Sequence, residues 1–252
     1  MPAGSTLICY ADDTLVLAGG GGWREATDNA NIAVACAVRA IASLGMKMSA
    51  GKTEAIFVHD GTKGEPPDMY ISVDGMRVKV GKLIKYLGLH IDGRWSFKDH
   101  LTGLGPRLDA AANTLSRVML NLGGPNGRVR RLYGNITNSI ALYGAPIWAD
   151  ALIKEKAAAA ALRKTKRRMA IRAIRGYRTV SRAAATLMAG IPPIEFVAKA
   201  HAAMYERVAE LKRAGMPAHD RVKRAIALQL KWDTRKEWRC WLERPDVRVN
   251  GQ

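Results

Sequence analysis

The chain has 252 residues, 48% of them hydrophobic, and 40 Lys and Arg against 22 Asp and Glu give it a formal net charge of +18. That length and apolar content can fill one large core or two small ones, and they exclude disorder throughout. There is no uncharged apolar run of about 18 residues to span a membrane, Met1-Pro2-Ala3-Gly4-Ser5 lacks the charged and apolar regions of a signal peptide, and Cys9, Cys36 and Cys240 form neither a disulfide framework nor a zinc site. A reducing interior compartment is the default. The charge is uneven: residues 1 to 100 hold 11 basic and 11 acidic side chains, whereas residues 151 to 252 hold 24 against 9, a balance of +15. Such a surface suits a polyanion, whose counterions it releases, and a membrane surface would also suit it.

In chain order, Leu7-Ile8-Cys9-Tyr10 and Thr14-Leu15-Val16-Leu17 are short runs rich in β-formers that flank Asp12 and Asp13, which predicts a β-hairpin with two carboxylates at its tip. Adjacent carboxylates repel, and a hard divalent cation relieves that repulsion; magnesium takes one or two carboxylates together with substrate phosphates. Taken alone, the pair also reads as a solvated turn that favours Asp for its local hydrogen bonds. The carboxylate pair turns the basic balance toward nucleic acid as the polyanion. Gly19-Gly20-Gly21-Gly22 lacks the G-x-G-x-x-G spacing of a phosphate cradle and reads as a flexible strand-to-helix link.

Ile32, Val34, Cys36, Val38, Ile41 and Leu44 predict an amphipathic helix over 24–44, stopped by Gly45 and lying against a sheet. The residues up to Val58 read as a buried strand. Gly51-Lys52-Thr53 resembles the end of a P-loop, but the earlier glycine falls at Met46 and a helix precedes it, so that reading is rejected. Lys52 is either a solvated strand-leading lysine or a phosphate-facing one. Asp74-Gly75 between Tyr70–Val73 and Met76–Val80 predicts a hairpin, and residues 83–92 a second strand pair bent near Gly88, with His90 a packed or exposed strand histidine. From residue 97 onward the pattern is helical: 97–122, 128–143, 153–174, 181–188, 193–214 and 221–241, with breaks at Gly123-Gly124-Pro125, Gly190-Ile191-Pro192-Pro193 and Gly215-Met216-Pro217. Arg163-Lys164-Thr165-Lys166-Arg167-Arg168 reads as a nuclear-localisation run, a phosphate-binding run or a solvated helix face.

The ordered set Tyr10-Ala11-Asp12-Asp13, a helix, Lys52-Thr53-Glu54 before a strand, and Tyr86-Leu87-Gly88 in a hairpin resembles the second half of a reverse-transcriptase palm. Tyr143-Gly144-Ala145-Pro146-Ile147-Trp148, Gly176-Tyr177-Arg178-Thr179-Val180-Ser181 and Ala189-Gly190-Ile191-Pro192-Pro193 resemble the post-palm region of non-LTR, LINE-type retrotransposon polymerases, nearest to type-1 elements that insert into ribosomal-RNA genes. The resemblance implies an α+β fold: a partial polymerase palm with the primer-grip hairpin over 1–96, an all-helical thumb over 97–175, and a basic helical extension over 176–252. It implies an RNA-directed DNA polymerase in which Asp12 and Asp13 bind Mg2+, Lys52 donates a proton to the pyrophosphate, and Tyr10, Tyr86, Leu87 and Gly88 lie at primer and template. Arg163, Lys164, Lys166, Arg167 and Arg168 would then serve as a phosphate-binding run.

The implied partners are an RNA template, a DNA primer, dNTP and the rest of the polyprotein, namely upstream palm, fingers and endonuclease, with nuclear residence and no membrane. The two-metal site of that family takes a further aspartate from an earlier palm strand, absent here, and Ser49 stands where relatives often carry Asn. The expectation is therefore a polymerase fragment, inactive alone. A non-catalytic nucleic-acid-binding module or decayed retroelement relic remains the alternative. An intron-maturase polymerase shares Tyr-Ala-Asp-Asp, but Tyr143–Trp148 speaks against it.

Overall fold

Apolar alternation in the first hundred residues and helical periodicity thereafter produce two separate bodies. In the computed structural model, which describes residues 2, 4–120 and 127–244, one unit runs to Ser96 and the other starts at Phe97. The fold is α+β, with small sheets of few strands in the first unit and helices in the second.

In the first unit, β1 (Thr6–Tyr10) and β2 (Asp13–Leu17) form an antiparallel hairpin that leads into helix α1 (Trp23–Ser43). A short 3-10 turn at Ala50–Lys52 precedes β3 (Ala55–Ile56), which runs parallel to β5 (Met76–Gly81); β5 also pairs antiparallel with β4 (Tyr70–Val73). A third hairpin joins β6 (Leu83–Tyr86) to β7 (Leu89–Asp92). The turn between β4 and β5 has both central residues at positive φ, Asp74 at 48° and Gly75 at 78°, as a two-residue I′ turn requires.

Helix α1 lies on a sheet as expected, through Val34 and Val38 but not through all of its larger residues. Ile32 and Leu44 are exposed, and Ala33, Val34 and Ala37 are buried, with Ala30 and Val38 beside them. These five follow the i, i+3, i+4, i+7 spacing, and they place small side chains where the helix must approach Ile71 and Val73 closely. Val16 of β2 joins the same cluster and so anchors the hairpin. The strand before Val58 shrinks to Ala55–Ile56 and is only half-buried, because it gains just one neighbouring strand.

The second unit contains α2 (Lys98–Leu120), α3 (Gly127–Ala141), α4 (Ala145–Lys154), α5 (Lys156–Ile174), α6 (Arg182–Ala189), α7 (Ile194–Arg213) and α8 (Asp220–Leu242). Phe97, Leu101, Leu104 and Leu108, at helical spacing, are all buried, as are Trp148 and Leu152 of α4 and Leu162 and Met169 of α5. Helix α4 is absent from the sequence reading, which starts a helix at Ile153. Gly144, at φ 66°, ends one helix, and Pro146 sits in the first turn of the next. The expected break at Gly123-Gly124-Pro125 lies outside the described residues.

Helix α5 carries an unusual core residue. Lys166 is 2% exposed, and its ammonium donates to the Asn138 side-chain oxygen on α3. Burial lowers its pKa from the ordinary 10.5 to about 8. A lysine more acidic in the fold than in the unfolded chain penalises folding while it is charged, and that penalty fades as pH rises from about 8 toward 10.5. Unfolding free energy is therefore expected to rise by roughly 3 kcal/mol across that interval, relative to a Lys166→Met variant that lacks the rise. Urea denaturation at the two ends of the interval measures the difference, and equal pH slopes for the two proteins would contradict it.

Candidate functional site

The tip of the β1–β2 hairpin gathers Tyr10, Asp12 and Asp13. Tyr10 pairs with Asp13 across the strands, which leaves Ala11 and Asp12 to make the reversal. Ala11 adopts φ 53°, a left-handed conformation disfavoured for any residue with a Cβ, so two chain positions suffice to turn the strand. Partners directly opposite in an antiparallel pair share a face. Cys9 with Thr14 and Leu7 with Val16 therefore lie on the α1 side, where Val16 packs; Tyr10 with Asp13 and Ile8 with Leu15 lie on the opposite side. That outward side is open: Tyr10 is 66% exposed, Ile8 and Leu17 are exposed, and so are Asp12 and Asp13.

The donor chemistry fits a hard divalent cation, since two exposed carboxylates meet at one point. It supplies only part of a coordination shell, because no group of three His, Cys, Asp or Glu side chains is placed to hold a metal among the described residues. Lys52 ends the 3-10 turn and is exposed, and among the described residues no ion pair joins it to either aspartate.

The link before α1 is not a flexible tether. A Cβ on Gly20 would come within 2.4 Å of the Ala26 backbone nitrogen, so only glycine allows the chain to lie against the helix start. Around it, the Gly21 N–H donates to Glu25 at 2.7 Å, Asn29 donates to the Gly19 carbonyl at 2.9 Å, and Lys63 donates to the Gly21 carbonyl.

Tyr86 ends β6 and pairs with Leu89, and the reversal falls on Leu87 (φ 46°) and Gly88 (φ 81°), again the I′ pattern. The Lys85 N–H donates to the Glu54 carboxylate at 2.6 Å, which ties this hairpin to the segment just after Lys52. The Asp92 carboxylate accepts from the backbone N–H groups of Arg94 and Ser96 at 3.0 and 3.1 Å and fixes the turn after β7.

The basic run on α5 is used differently from a solvated row. Arg163 pairs with Glu195 of α7 and Arg168 with Asp109 of α2, while Lys166 is buried. Arg167 donates to the carbonyls of Arg178 at 2.6 Å and Val180 at 2.7 Å, clamping the loop that carries Tyr177 and the helix-capping Ser181. Lys164 alone of the five is exposed with no ion pair among the described residues. The partners come from other helices and an adjoining loop, so the run itself gives no sign of them. Trp148, in the Tyr143–Trp148 stretch, is likewise a core residue whose indole N–H donates to the Tyr143 carbonyl at 2.9 Å. Among the described residues no helix is long and apolar enough to cross a membrane.

Comparison with curated proteins finds relatives of one kind. The chain is 27% identical over 215 residues to the 115 kDa protein in type-1 retrotransposable element R1DM of Drosophila melanogaster, a match covering 85% of this chain and 20% of that protein. It is 26% identical over 151 residues to the retrovirus-related Pol polyprotein from type-1 retrotransposable element R1 3 of Nasonia vitripennis, covering 58% of this chain and 39% of that protein. Against the Pol polyprotein from type-1 retrotransposable element R1 of the same species it is 25% identical over 202 residues, covering 75% of this chain and 57% of the relative. The matches thus span from a fifth to somewhat over half of these relatives' lengths. No protein-family model and no solved structure matches the chain. The chain that carries the Tyr-Ala-Asp-Asp hairpin is thus similar, along most of its length, to proteins of type-1 retrotransposable elements, two of them Pol polyproteins.

Proposed function

We propose that this chain carries the catalytic aspartate hairpin and the thumb of an RNA-directed DNA polymerase that works within a longer polyprotein. The observation that supports this most strongly is the pair of exposed carboxylates of Asp12 and Asp13 at a tight hairpin tip, in a chain whose relatives are Pol polyproteins. Asp12 and Asp13 would hold Mg2+, which when bound offsets the charge that develops on phosphate oxygens as a nucleotide is transferred to a primer 3′-OH. Tyr10, on the same side as Asp13, offers an aromatic surface beside primer and template. Lys52 serves as proton donor to the departing pyrophosphate of the dNTP. The turn at Leu87 and Gly88, with Tyr86 at its base, supports the primer end, and the basic helices hold the template–primer duplex through its phosphates.

The carboxylate that completes the site comes from another part of the polyprotein, as do the fingers. The chain alone is then inactive, and nuclear residence accords with the same reading. A second reading, nucleic-acid binding without catalysis, draws on the +15 balance of residues 151 to 252.

Primer extension on an RNA template with Mg2+ separates the two. Extension is expected only when this chain is joined to its upstream reading frame, and Asp12→Asn in that protein should lower it about a thousandfold, as loss of several kcal/mol of charge stabilisation implies. Undiminished extension by the Asn variant would overturn the catalytic assignment. The hairpin itself is tested at Ala11. Ala11→Gly should stabilise the chain by about 1 kcal/mol and Ala11→Val destabilise it by at least about as much, because a β-branched residue tolerates positive φ least. Denaturation of the three proteins reads both effects.

A further inference from the structure

Helix α8 buries one side and leaves the other with a definite chemistry. Leu230, Thr234 and Trp238 are its buried residues, and Trp241 meets Phe196 of α7 edge-on at 6.4 Å between ring centroids. With 3.6 residues per turn, Arg221, Leu228, Trp232, Arg235 and Arg239 fall within one outward sector, and Lys236 borders it. Trp232 is 68% exposed and Leu228 60%.

Three acidic side chains of this helix have partners outside that sector, while Glu243 at its C-cap, one turn beyond Arg239, is exposed with no ion pair among the described residues. Asp220 pairs with Lys223 at 3.7 Å, Asp233 accepts from Gln229 at 3.1 Å, and Glu237 pairs with Lys199 of α7 at 3.3 Å. Among the described residues no ion pair engages Arg221, Arg235, Lys236 or Arg239. This contrasts with Arg163, Arg167 and Arg168 of α5, which meet acids and carbonyls within the fold.

We propose that this face of α8 binds single-stranded nucleic acid, with Trp232 as a stacking platform for an unpaired base and Arg221, Arg235, Lys236 and Arg239 as phosphate contacts. Three observations select that ligand. Arg235 and Lys236 lie one helical turn from an open indole, Arg239 two turns away on the same side and Arg221 about three turns away on the other, an arrangement in which a base can stack while phosphates along the strand are neutralised. They share the sector of the tryptophan and do not line the opposite face, so insertion of the indole into a lipid surface would drag arginines toward the acyl chains, unlike an interfacial helix with segregated faces. A duplex conceals its base faces, which leaves Trp232 without a partner there. The inference rests on α8 alone and is independent of the polymerase reading.

The test uses the full 252-residue chain, a labelled oligouridylate and fluorescence anisotropy over a salt series, with EDTA and without dNTP. Trp232→Ala is expected to weaken binding about tenfold, with Trp232→Phe retaining most of the affinity. Arg235→Gln combined with Arg239→Gln should flatten the slope of log affinity against log salt by about 1.4. An RNA duplex should bind without sensitivity to Trp232→Ala, and Asp12→Asn should leave oligouridylate binding unchanged, which separates this surface from the aspartate hairpin. The proposal is overturned if Trp232→Ala leaves oligouridylate binding intact or weakens duplex binding equally. It is also overturned if Trp232 governs binding to phosphatidylserine vesicles, or self-association of the chain, and not binding to RNA. Because Trp232 projects from the surface, its substitution leaves the core in place, and circular dichroism of each variant verifies this.

Discussion

The pairing of Tyr10 with Asp13 across a two-residue reversal is the constraint on which the aspartate site depends. It forces adjacent carboxylates to share one tip despite their repulsion, and it requires Ala11 to occupy a conformation usually left to glycine. The arrangement holds because the other side of the hairpin is anchored: Val16 packs with Val34, Ile71 and Val73 beneath it. Small residues on α1 let helix and sheet approach closely, and the half-buried Val16 fixes which side of β2 faces outward. Packing on one side of the sheet thus determines which chemistry is presented on the other.

How much of this is legible in the sequence depends on how local its cause is. The hairpins at Asp74-Gly75 and Leu87-Gly88 are set by a few consecutive residues and occur where turn chemistry and strand alternation put them. The first hairpin also forms, but its reversal falls on Ala11 and Asp12, with Asp13 already inside β2 and not in the turn beside Asp12 as expected. The buried stripe Phe97, Leu101, Leu104 and Leu108 is equally local. Helix α4 is obscured because Tyr143–Trp148 reads first as a family-like stretch, although Gly144 and Pro146 carry the usual signals of one helix ending and another starting. The buried face of α1 matches expectation at Val34 and Val38 but shifts away from Ile32 and Leu44, because Ala33 and Ala37 complete the buried spacing. The engagement of the α5 cations is not legible at all: Asp109, Asn138 and Glu195 lie on three other helices, and nothing within residues 163–168 specifies them.

The basic character of the second unit therefore divides into two uses. On α5 the guanidinium groups of Arg163, Arg167 and Arg168 act as internal connectors, joining α5 to α2 and α7 and holding the Tyr177 loop by its carbonyls, so net charge overstates what a polyanion could meet there. On α8 the cations remain turned outward around an open indole. The same residue types are structural in one helix and available for recognition in the other, and the difference lies in whether the surrounding helices bring acceptors to them.

Strand β1 carries a consequence for handling the protein. Its five residues are all exposed, and among the described residues it pairs only with β2, so its free edge presents unsatisfied backbone donors and acceptors flanked by Leu7 and Ile8. Such an edge is a template for another strand. Two copies of this chain can pair edge to edge along β1. Co-expression with a segment able to occupy that edge is the rational route to a monodisperse sample.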